Sequence, residues 1–152
     1  MIKRCVIFLG SMLLCLSAFS QNYDQSVGIR LGLTNGIAYK ASFDGVSGLE
    51  LIGSYRHSQR YVNLIALYEI HFYTFDIDNL YLVAGVGGHV GSAGMGTPYL
   101  VLGADALVGI EYALDQTPLA FTLDVKPAIS LVGRRNLLDI GWFGVSARLT
   151  FE

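Results

Sequence analysis

Hydrophobic and polar residues alternate along residues 99–112, whose sequence is YLVLGADALVGIEY. One face of this segment is apolar throughout, whereas the other face carries Asp105 and Glu111 together with glycine. Successive side chains of a β-strand point to opposite sides of the sheet. An apolar face opposite a face of acids and glycine predicts a strand of a transmembrane β-barrel, in which lipid surrounds the outside and polar residues line the lumen.

The same alternation recurs along the chain and predicts eight strands. A tilted membrane strand needs about 9–11 residues, and eight is the smallest usual strand number of a bacterial barrel. An open sheet in lipid would expose unpaired backbone groups, so the sheet has to close on itself. The sequence therefore predicts an all-β fold, an eight-stranded antiparallel up-and-down transmembrane β-barrel, with strands at residues 26–34, 37–43, 48–56, 61–72, 80–90, 99–112, 119–131 and 140–151.

Two local features predict interruptions of these strands. Asn35 and Gly36 form a dipeptide that favours a tight turn, because both residues tolerate a positive φ, and we expect them to connect the first two strands. Pro127 lies inside the seventh strand, where it removes a backbone donor, so we expect a bulge near it. The glycines at 85, 87 and 88 suit an interior too narrow for large side chains at every position.

The strand order also predicts two aromatic girdles. In bacterial barrels both chain ends and the short turns lie on the periplasmic side, and aromatic residues gather at the two membrane interfaces. Alternation and topology then assign two sets of outward-facing aromatics. The periplasmic set is Phe43, Phe72, Tyr112, Phe121 and Phe151, and the external set is Tyr39, Tyr55 and Phe143.

The N-terminus has the features of a signal peptide. A positive pair at residues 3–4 precedes an apolar run at 5–16, and the small residues Ala18 and Ser20 stand at the positions that a signal peptidase reads. We therefore expect a cleaved signal peptide at residues 1–20 and an outer-membrane β-barrel at residues 21–152. The mature chain would then be exported to the bacterial outer membrane.

Two alternatives to cleavage are a membrane anchor helix and a lipoprotein modified at Cys15. The apolar run is shorter than the about 20 residues of a membrane-spanning helix. Leu14 stands where lipoprotein signals have a small residue. Cleavage is therefore the favoured interpretation, and it would remove Cys5 and Cys15, leaving no cysteine for a disulfide.

The composition favours a membrane barrel over other classes. The 152-residue chain is 53% hydrophobic and 14% charged, whereas a soluble domain usually has about 25% charged residues. Its mean hydropathy is +0.49, yet beyond residue 20 no run of about 20 apolar residues occurs. The net charge of −2 and the lack of a basic patch argue against a nucleic-acid partner.

Charged residues of both signs alternate onto the inner face of the predicted barrel. Charges in a narrow interior must be paired or solvated, and an eight-stranded barrel has little free volume once side chains fill it. We therefore predict a structural plug of ion pairs, with a proton or small-ion path as the alternative. The predicted lumen charge network consists of Arg30, Lys40, Glu50, Arg56, Glu69, Asp105, Glu111, Asp124, Lys126 and Arg148.

Several stretches together resemble the small eight-stranded outer-membrane barrels of the OmpA-transmembrane and OmpX type. These stretches are LTNGIAYKASF, LYEIH, GVGGHVG, LGADALVGIEY, LDVKPAISLVG and the ending ARLTF. The resemblance implies the barrel fold, a bacterial outer-membrane location and no established activity. It also implies recognition by the barrel-insertion machinery through a terminal aromatic, here Phe151, which in this chain is followed by Glu152.

We expect no catalytic, cofactor or metal site. His71 and His89 share the lumen face but lie at opposite ends, so one metal cannot use both. His57 and Ser58 form the one adjacent pair that a lipid-modifying enzyme could use, but no orienting acid stands at the required spacing. The glycine-rich run at 84–96 lacks the lysine and following helix of a phosphate-binding loop.

Three functional hypotheses follow from the sequence. The first is a structural or surface-interaction protein, the second a narrow pore, and the third a lipid-modifying barrel enzyme. The expected partners are outer-membrane lipid and lipopolysaccharide, whose phosphates Arg134 and Arg135 of a predicted external loop could contact. We expect the barrel to be a monomer and favour the first hypothesis.

Overall fold

A computed structural model describes most of the predicted barrel. The described residues are 25–32, 35–57, 60–73, 77, 79–94, 96–114, 117–133, 138–139 and 143–151. The predicted signal peptide lies outside the described residues. No helix among the described residues has the length and apolar character needed to cross a membrane.

The described chain forms ten β-strands. Their bounds are β1 Gln25–Gly32, β2 Asn35–Ser42, β3 Ser47–Arg56, β4 Tyr61–Tyr73, β5 Leu80–Ala93, β6 Tyr99–Ala113, β7 Leu119–Val125, β8 Ala128–Val132, β9 Leu138–Asp139 and β10 Phe143–Phe151. Each of the first six corresponds to one predicted strand. The predicted seventh strand is split into β7 and β8, which both pair with β6.

Antiparallel pairing of each strand with its neighbours closes the sheet. The order runs β5-β4-β3-β2-β1-β10-β7-β6, and β6 also pairs with β5 to complete the ring. β9 pairs with β8 and β10 pairs with β7, so β9 and β10 together take the place of the eighth strand. The predicted closed eight-stranded antiparallel up-and-down barrel is confirmed.

The polarity of this barrel is inverted relative to a soluble domain. Val86 and Leu131 on the outer face are 65% and 70% exposed, whereas Glu50 and Lys126 on the inner face are 0% exposed. Strand alternation alone produces this distribution. Alternate residues of a strand point to opposite faces of the sheet, and here the apolar side chains share one face and the charged side chains share the other. A continuous apolar outer surface of this extent is atypical of soluble monomers.

The predicted turn at Asn35 and Gly36 is wrong, because both residues belong to β2. They pair with Tyr55 and Ser54 of β3, so cross-strand pairing extends the strand through them. The Asn35 side-chain oxygen accepts a hydrogen bond from the Gly32 amide at 3.3 Å. Residues 33–34, between β1 and β2, lie outside the described residues.

The bulge expected near Pro127 lies elsewhere. The pairing register with β6 is unchanged across Pro127. It shifts between Leu102, which pairs with Val132, and Gly103, which pairs with Ser130, so Leu131 is the extra residue. Pro127 cannot donate to the ladder, but its carbonyl still accepts from the Ala106 amide at 3.0 Å. One hydrogen bond of that cross-strand pair survives, so the chain interrupts the strand at 126–127 without changing register.

The eighth strand and one aromatic position also differ from prediction. Residues 138–139 precede the predicted strand at 140–151 and pair with β8 as β9, while 140–142 lie outside the described residues. The hydroxyl of Tyr39 donates to Gln25, the first described residue, at 3.1 Å. Tyr39 therefore points toward the end of the barrel that holds the chain termini, and its predicted place at the external rim is wrong.

The turn between β2 and β3 is organised by Asp44. One oxygen of this carboxylate accepts hydrogen bonds from the amide and hydroxyl of Ser47 at 2.6 and 3.0 Å and from the amide of Val46 at 3.0 Å. The backbone hydrogen bonds from Ser47 and Val46, followed by that from the Ser47 hydroxyl, lower the pKa of Asp44 below its ordinary value of 3.8.

This lowered pKa predicts a small loss of stability in acid. Because the folded-state pKa of Asp44 is below its unfolded value, its contribution is complete above pH 3.8 and disappears as the pH falls through the folded-state pKa. Comparing the pH dependence of unfolding for the wild type and Asp44→Asn tests this, since asparagine keeps the acceptor oxygen without the charge. Parallel acid profiles for the two proteins would contradict the prediction.

Candidate functional site: the charged lumen

Nine of the ten predicted lumen residues form two separate clusters inside the barrel, each joined by a histidine. We define the termini-end cluster as the group near the paired residues Gln25 and Phe151, and the loop-end cluster as the group nearer the opposite end. Arg56 is half-buried at the far end of β3. The termini-end cluster is Lys40, Glu50, Glu69, His71, Glu111 and Arg148, and the loop-end cluster is Arg30, His89, Asp105, Asp124 and Lys126.

Lys40 is the centre of the termini-end cluster. Its ammonium group lies 2.9 Å from Glu69 Oε2, 3.0 Å from Glu111 Oε2 and 2.6 Å from His71 Nε2. The contacts to Glu111 and His71 are hydrogen bonds, and the contact to Glu69 is an ion pair. The side chains of Lys40 and Glu69 are 6% and 1% exposed, so these contacts are shielded from solvent.

Arg148 joins two carboxylates of the same cluster that come from opposite parts of the sheet. Its Nη1 donates to Glu111 Oε2 at 2.6 Å and its Nη2 to Glu50 Oε1 at 2.7 Å. Thr122 adds a hydroxyl donor to Glu111 Oε2 at 3.1 Å. Charge-assisted hydrogen bonds of this kind are about twice as strong as neutral ones, so Arg148 ties β10 to β3 and β6 across the lumen.

The loop-end cluster contains two neighbouring ion pairs. The guanidinium of Arg30 makes two hydrogen bonds to the carboxylate of Asp124. Asp105 accepts from Lys126 Nζ at 2.6 Å through one oxygen, and its other oxygen is bonded to His89 Nδ1 at 2.6 Å. These side chains are at most 3% exposed, so each charge is satisfied inside the barrel.

Glycine makes room for this cluster on the neighbouring strands. A Cβ atom on Gly144 would overlap the guanidinium of Arg30, and one on Gly103 would overlap the ring of His89. Both large side chains therefore lie over a residue that has no side chain. Sequence alternation placed His89 on the lumen face, but its bond to Asp105 depends on this cross-strand neighbour and was not predicted.

Apolar side chains fill much of the remaining lumen. Tyr61, Ala93 and Val101 form a buried group at the loop end. A second buried group follows the wall from β2 to β6 and consists of Ala38, Ile52, Ile65, Leu67, Val83 and Leu107. Together with the two charged clusters, they give the described lumen a packed interior.

Some buried polar groups have no protein partner within the described residues. Both amide atoms of Asn63 and the hydroxyls of Ser54 and Ser146 are in this state. An unsatisfied buried polar group costs about 1–3 kcal/mol. Glu50 Oε2, both carboxylate oxygens of Glu69 and Arg148 Nε are in the same state, so Ser54, Asn63 and Ser146 are the neutral members of this set.

Replacing Asn63 by leucine is expected to raise the free energy of unfolding by about 1 kcal/mol, because a similar volume is kept while the unpaired amide is removed. Urea unfolding of refolded protein in lipid measures the change. Thr122→Val is the matched control, since this hydroxyl donates to Glu111 and its loss should destabilise the barrel. A loss of stability for Asn63→Leu as well would mean that the amide is satisfied in the folded state.

A polar vestibule opens the lumen at the end that holds the chain termini. The cavity measures ≈ 730 Å³, and Lys40, His71 and Glu111 supply the charged part of its described lining. Among the side chains of the termini-end cluster, that of Glu111 is the most exposed, at 14%. Other lining residues carry hydroxyl or amide groups, among them Ser26, Ser42, Asn79, Tyr81 and Thr150.

The remaining sequence candidates are not brought together by the structure. His57 is exposed and stacks edge-on against Tyr55 at 6.2 Å, while Ser58 lies outside the described residues. His71 and His89 belong to different clusters. Within the described part of the chain, no group of three or more histidine, cysteine, aspartate or glutamate side chains is arranged to hold a metal.

Comparison with known proteins yields a match at the level of structure. No protein-family model matches the chain, and no curated protein matches it. The solved structure titled "Crystal structure of Neisserial surface protein A (NspA)" superimposes with a TM-score of 0.52 at 14% sequence identity, over 85% of this chain and 94% of that one. The chain thus shares the closed eight-stranded β-barrel fold of NspA, an outer-membrane barrel, and the resemblance inferred from its sequence is confirmed at the level of the fold.

Proposed function

We propose that this protein is an integral β-barrel of a bacterial outer membrane with a structural or surface-interaction role and no catalytic activity. The inverted polarity of the barrel is the observation that supports this most directly. Apolar side chains cover the outside, whereas eight charged side chains are at most 5% exposed inside. Ion pairing within the lumen offsets the cost of burying these charges, and an apolar exterior around a polar interior is the arrangement of a transmembrane barrel in lipid.

We also propose that the lumen is closed by its own side chains. The loop-end ion pairs, the termini-end cluster and the apolar groups all occupy the interior of a barrel that has little room. An interior filled in this way supports the barrel from within. The role of the protein is then to form a stable barrel in the membrane and to present its connecting loops at the membrane surface.

The proposed partners follow from the outer surface. Outer-membrane lipid would contact the apolar belt, and lipopolysaccharide the polar groups at its edge. Phe151 ends β10 and is 53% exposed on the outer face, a position from which the barrel-insertion machinery could bind it. We propose that the barrel acts as a monomer. Arg134 and Arg135 lie outside the described residues.

Fractionation and conductance together test the proposal. We expect the protein in the outer-membrane fraction, with a gel mobility that changes on boiling and no conductance in planar bilayers. Discrete conductance steps from the wild-type protein would contradict the closed lumen. Recovery of the protein as a soluble periplasmic species would contradict the membrane location.

A narrow pore is the second candidate function. The unpartnered atoms of Ser54, Asn63 and Ser146 and the open vestibule favour it, because both suit water inside the lumen. Replacing Glu69 by glutamine and Asp105 by asparagine together separates the two functions. The double variant should change the conductance of a pore, whereas in a closed barrel it should mainly lower stability.

A further inference from the structure

The cation in the described lining of the vestibule is Lys40, whose ammonium group is surrounded by protein partners. Lys40 Nζ is hydrogen-bonded to Glu111 Oε2 and His71 Nε2 and forms an ion pair with Glu69 Oε2 at 2.9 Å. Both terminal nitrogens of Arg148 donate to carboxylates. Arg148 is not part of the described cavity lining, and the contacts of Lys40 leave its ammonium group unavailable to an anionic ligand that enters the vestibule.

The contacts of His71 place its proton on Nδ1. The Nε2 atom lies 2.6 Å from the Lys40 ammonium, which can only donate, so Nε2 is the acceptor. The Nδ1 atom lies 3.3 Å from the carbonyl oxygen of Val46 and donates to it. His71 is then neutral and offers the vestibule no free donor.

One acceptor on the floor of the vestibule is free. Glu111 receives Lys40, Arg148 and Thr122 on its Oε2 atom, while Oε1 has no hydrogen bond within the described residues. The Nε2 atom of His71 lies 3.7 Å from Oε1 but carries no proton.

We propose that the vestibule is a binding site for a small ligand that carries an ammonium group, with Glu111 Oε1 as its acceptor. The volume of ≈ 730 Å³ is ample for such a ligand and lies in the usual range of small-molecule sites. The hydroxyls of Ser26, Ser42 and Thr150 line the same cavity and suit a polar ligand body. This site goes beyond the proposed function and does not depend on whether the lumen conducts.

Titration of the refolded full barrel in detergent micelles tests the site, because both mouths are then accessible. Ethanolammonium is the probe, and ethylene glycol is its matched neutral control at equal ionic strength. We expect ethanolammonium to shift the nuclear magnetic resonance signals of vestibule residues with a Kd on the order of millimolar, as expected for so small a ligand. A lysine-containing tripeptide in a second titration distinguishes a basic peptide from a free amine as the source of the ammonium group.

Three variants localise the binding. Glu111→Gln removes the charge and should weaken binding about tenfold or more. Ala113→Phe fills the vestibule without altering an ion pair and should abolish binding even if Glu111→Gln does not fold. Asp105→Asn alters the loop-end cluster and should leave binding unchanged. Equal shifts with ethylene glycol, or undiminished binding by Ala113→Phe, would overturn the proposal while leaving the closed-barrel function intact.

Discussion

Replacing Arg148 by methionine is expected to lower the free energy of unfolding by about 3–5 kcal/mol, the usual cost of removing one partner from a buried ion pair. Methionine keeps much of the volume and removes the charge. Glu50 Oε1 then loses its donor, and Glu111 keeps only Lys40 and Thr122. Urea unfolding in lipid, followed by the mobility of unboiled samples, measures the loss.

Arg56→Met is the matched control for Arg148→Met. Arg56 is half-buried at the end of β3, so removing its charge leaves less uncompensated charge in the interior. The double variant Arg148→Met with Glu50→Gln should recover part of the stability, because it neutralises one of the carboxylates that Arg148 leaves behind. Equal losses for Arg148→Met and Arg56→Met would show that the cluster does not hold the lumen together.

Replacing Gly28 by alanine is expected to prevent the barrel from closing in its native register. Gly28 pairs with Arg148 at the junction of β1 and β10. A Cβ atom there would overlap the carbonyl group of Ala147 and the Cα of Arg148. Backbone atoms cannot move aside as a flexible side chain can, so the loss should exceed the about 1–3 kcal/mol of an ordinary overpacked site.

Gly53→Ala is the matched control, because an added Cβ at that outward-facing position would meet nothing within 4 Å. Refolding yield and the heat-dependent change in gel mobility compare the two variants. We expect Gly53→Ala to refold like the wild type, while Gly28→Ala stays in the unfolded form on the gel. Normal refolding of Gly28→Ala would mean that the seam between β1 and β10 can separate without loss of the fold.

Sequence reasoning predicted the inner and outer faces because these depend only on local alternation. Adjacent residues in a strand point to opposite faces of the sheet. Alternation alone therefore places the side chains of Glu50 and Lys126 inside the barrel and that of Val86 outside, without any knowledge of strand pairing. The closed barrel followed from the requirement that no strand edge remain unpaired.

Turn chemistry was a weaker guide. Asn35 and Gly36 have the composition of a tight turn, yet pairing with Tyr55 and Ser54 keeps them in β2. Pro127 lacks a donor, yet its carbonyl maintains the register with β6. In both places hydrogen bonds to a neighbouring strand outweighed the local preference of the residue, and the sequence alone does not reveal which neighbour supplies them.

The amino-acid sequence by itself thus determined that this chain forms a closed barrel with charge inside and apolar side chains outside. The tertiary structure decided which charges meet. Arg30 and Asp124 are 94 residues apart, and Glu50 and Arg148 are 98 apart. Their contacts depend on strand register, on the closure between β1 and β10 and on glycines that leave space across the lumen. The division into two clusters and the free oxygen of Glu111 in the vestibule arise only when the sheet closes, because only then do distant strands face one another.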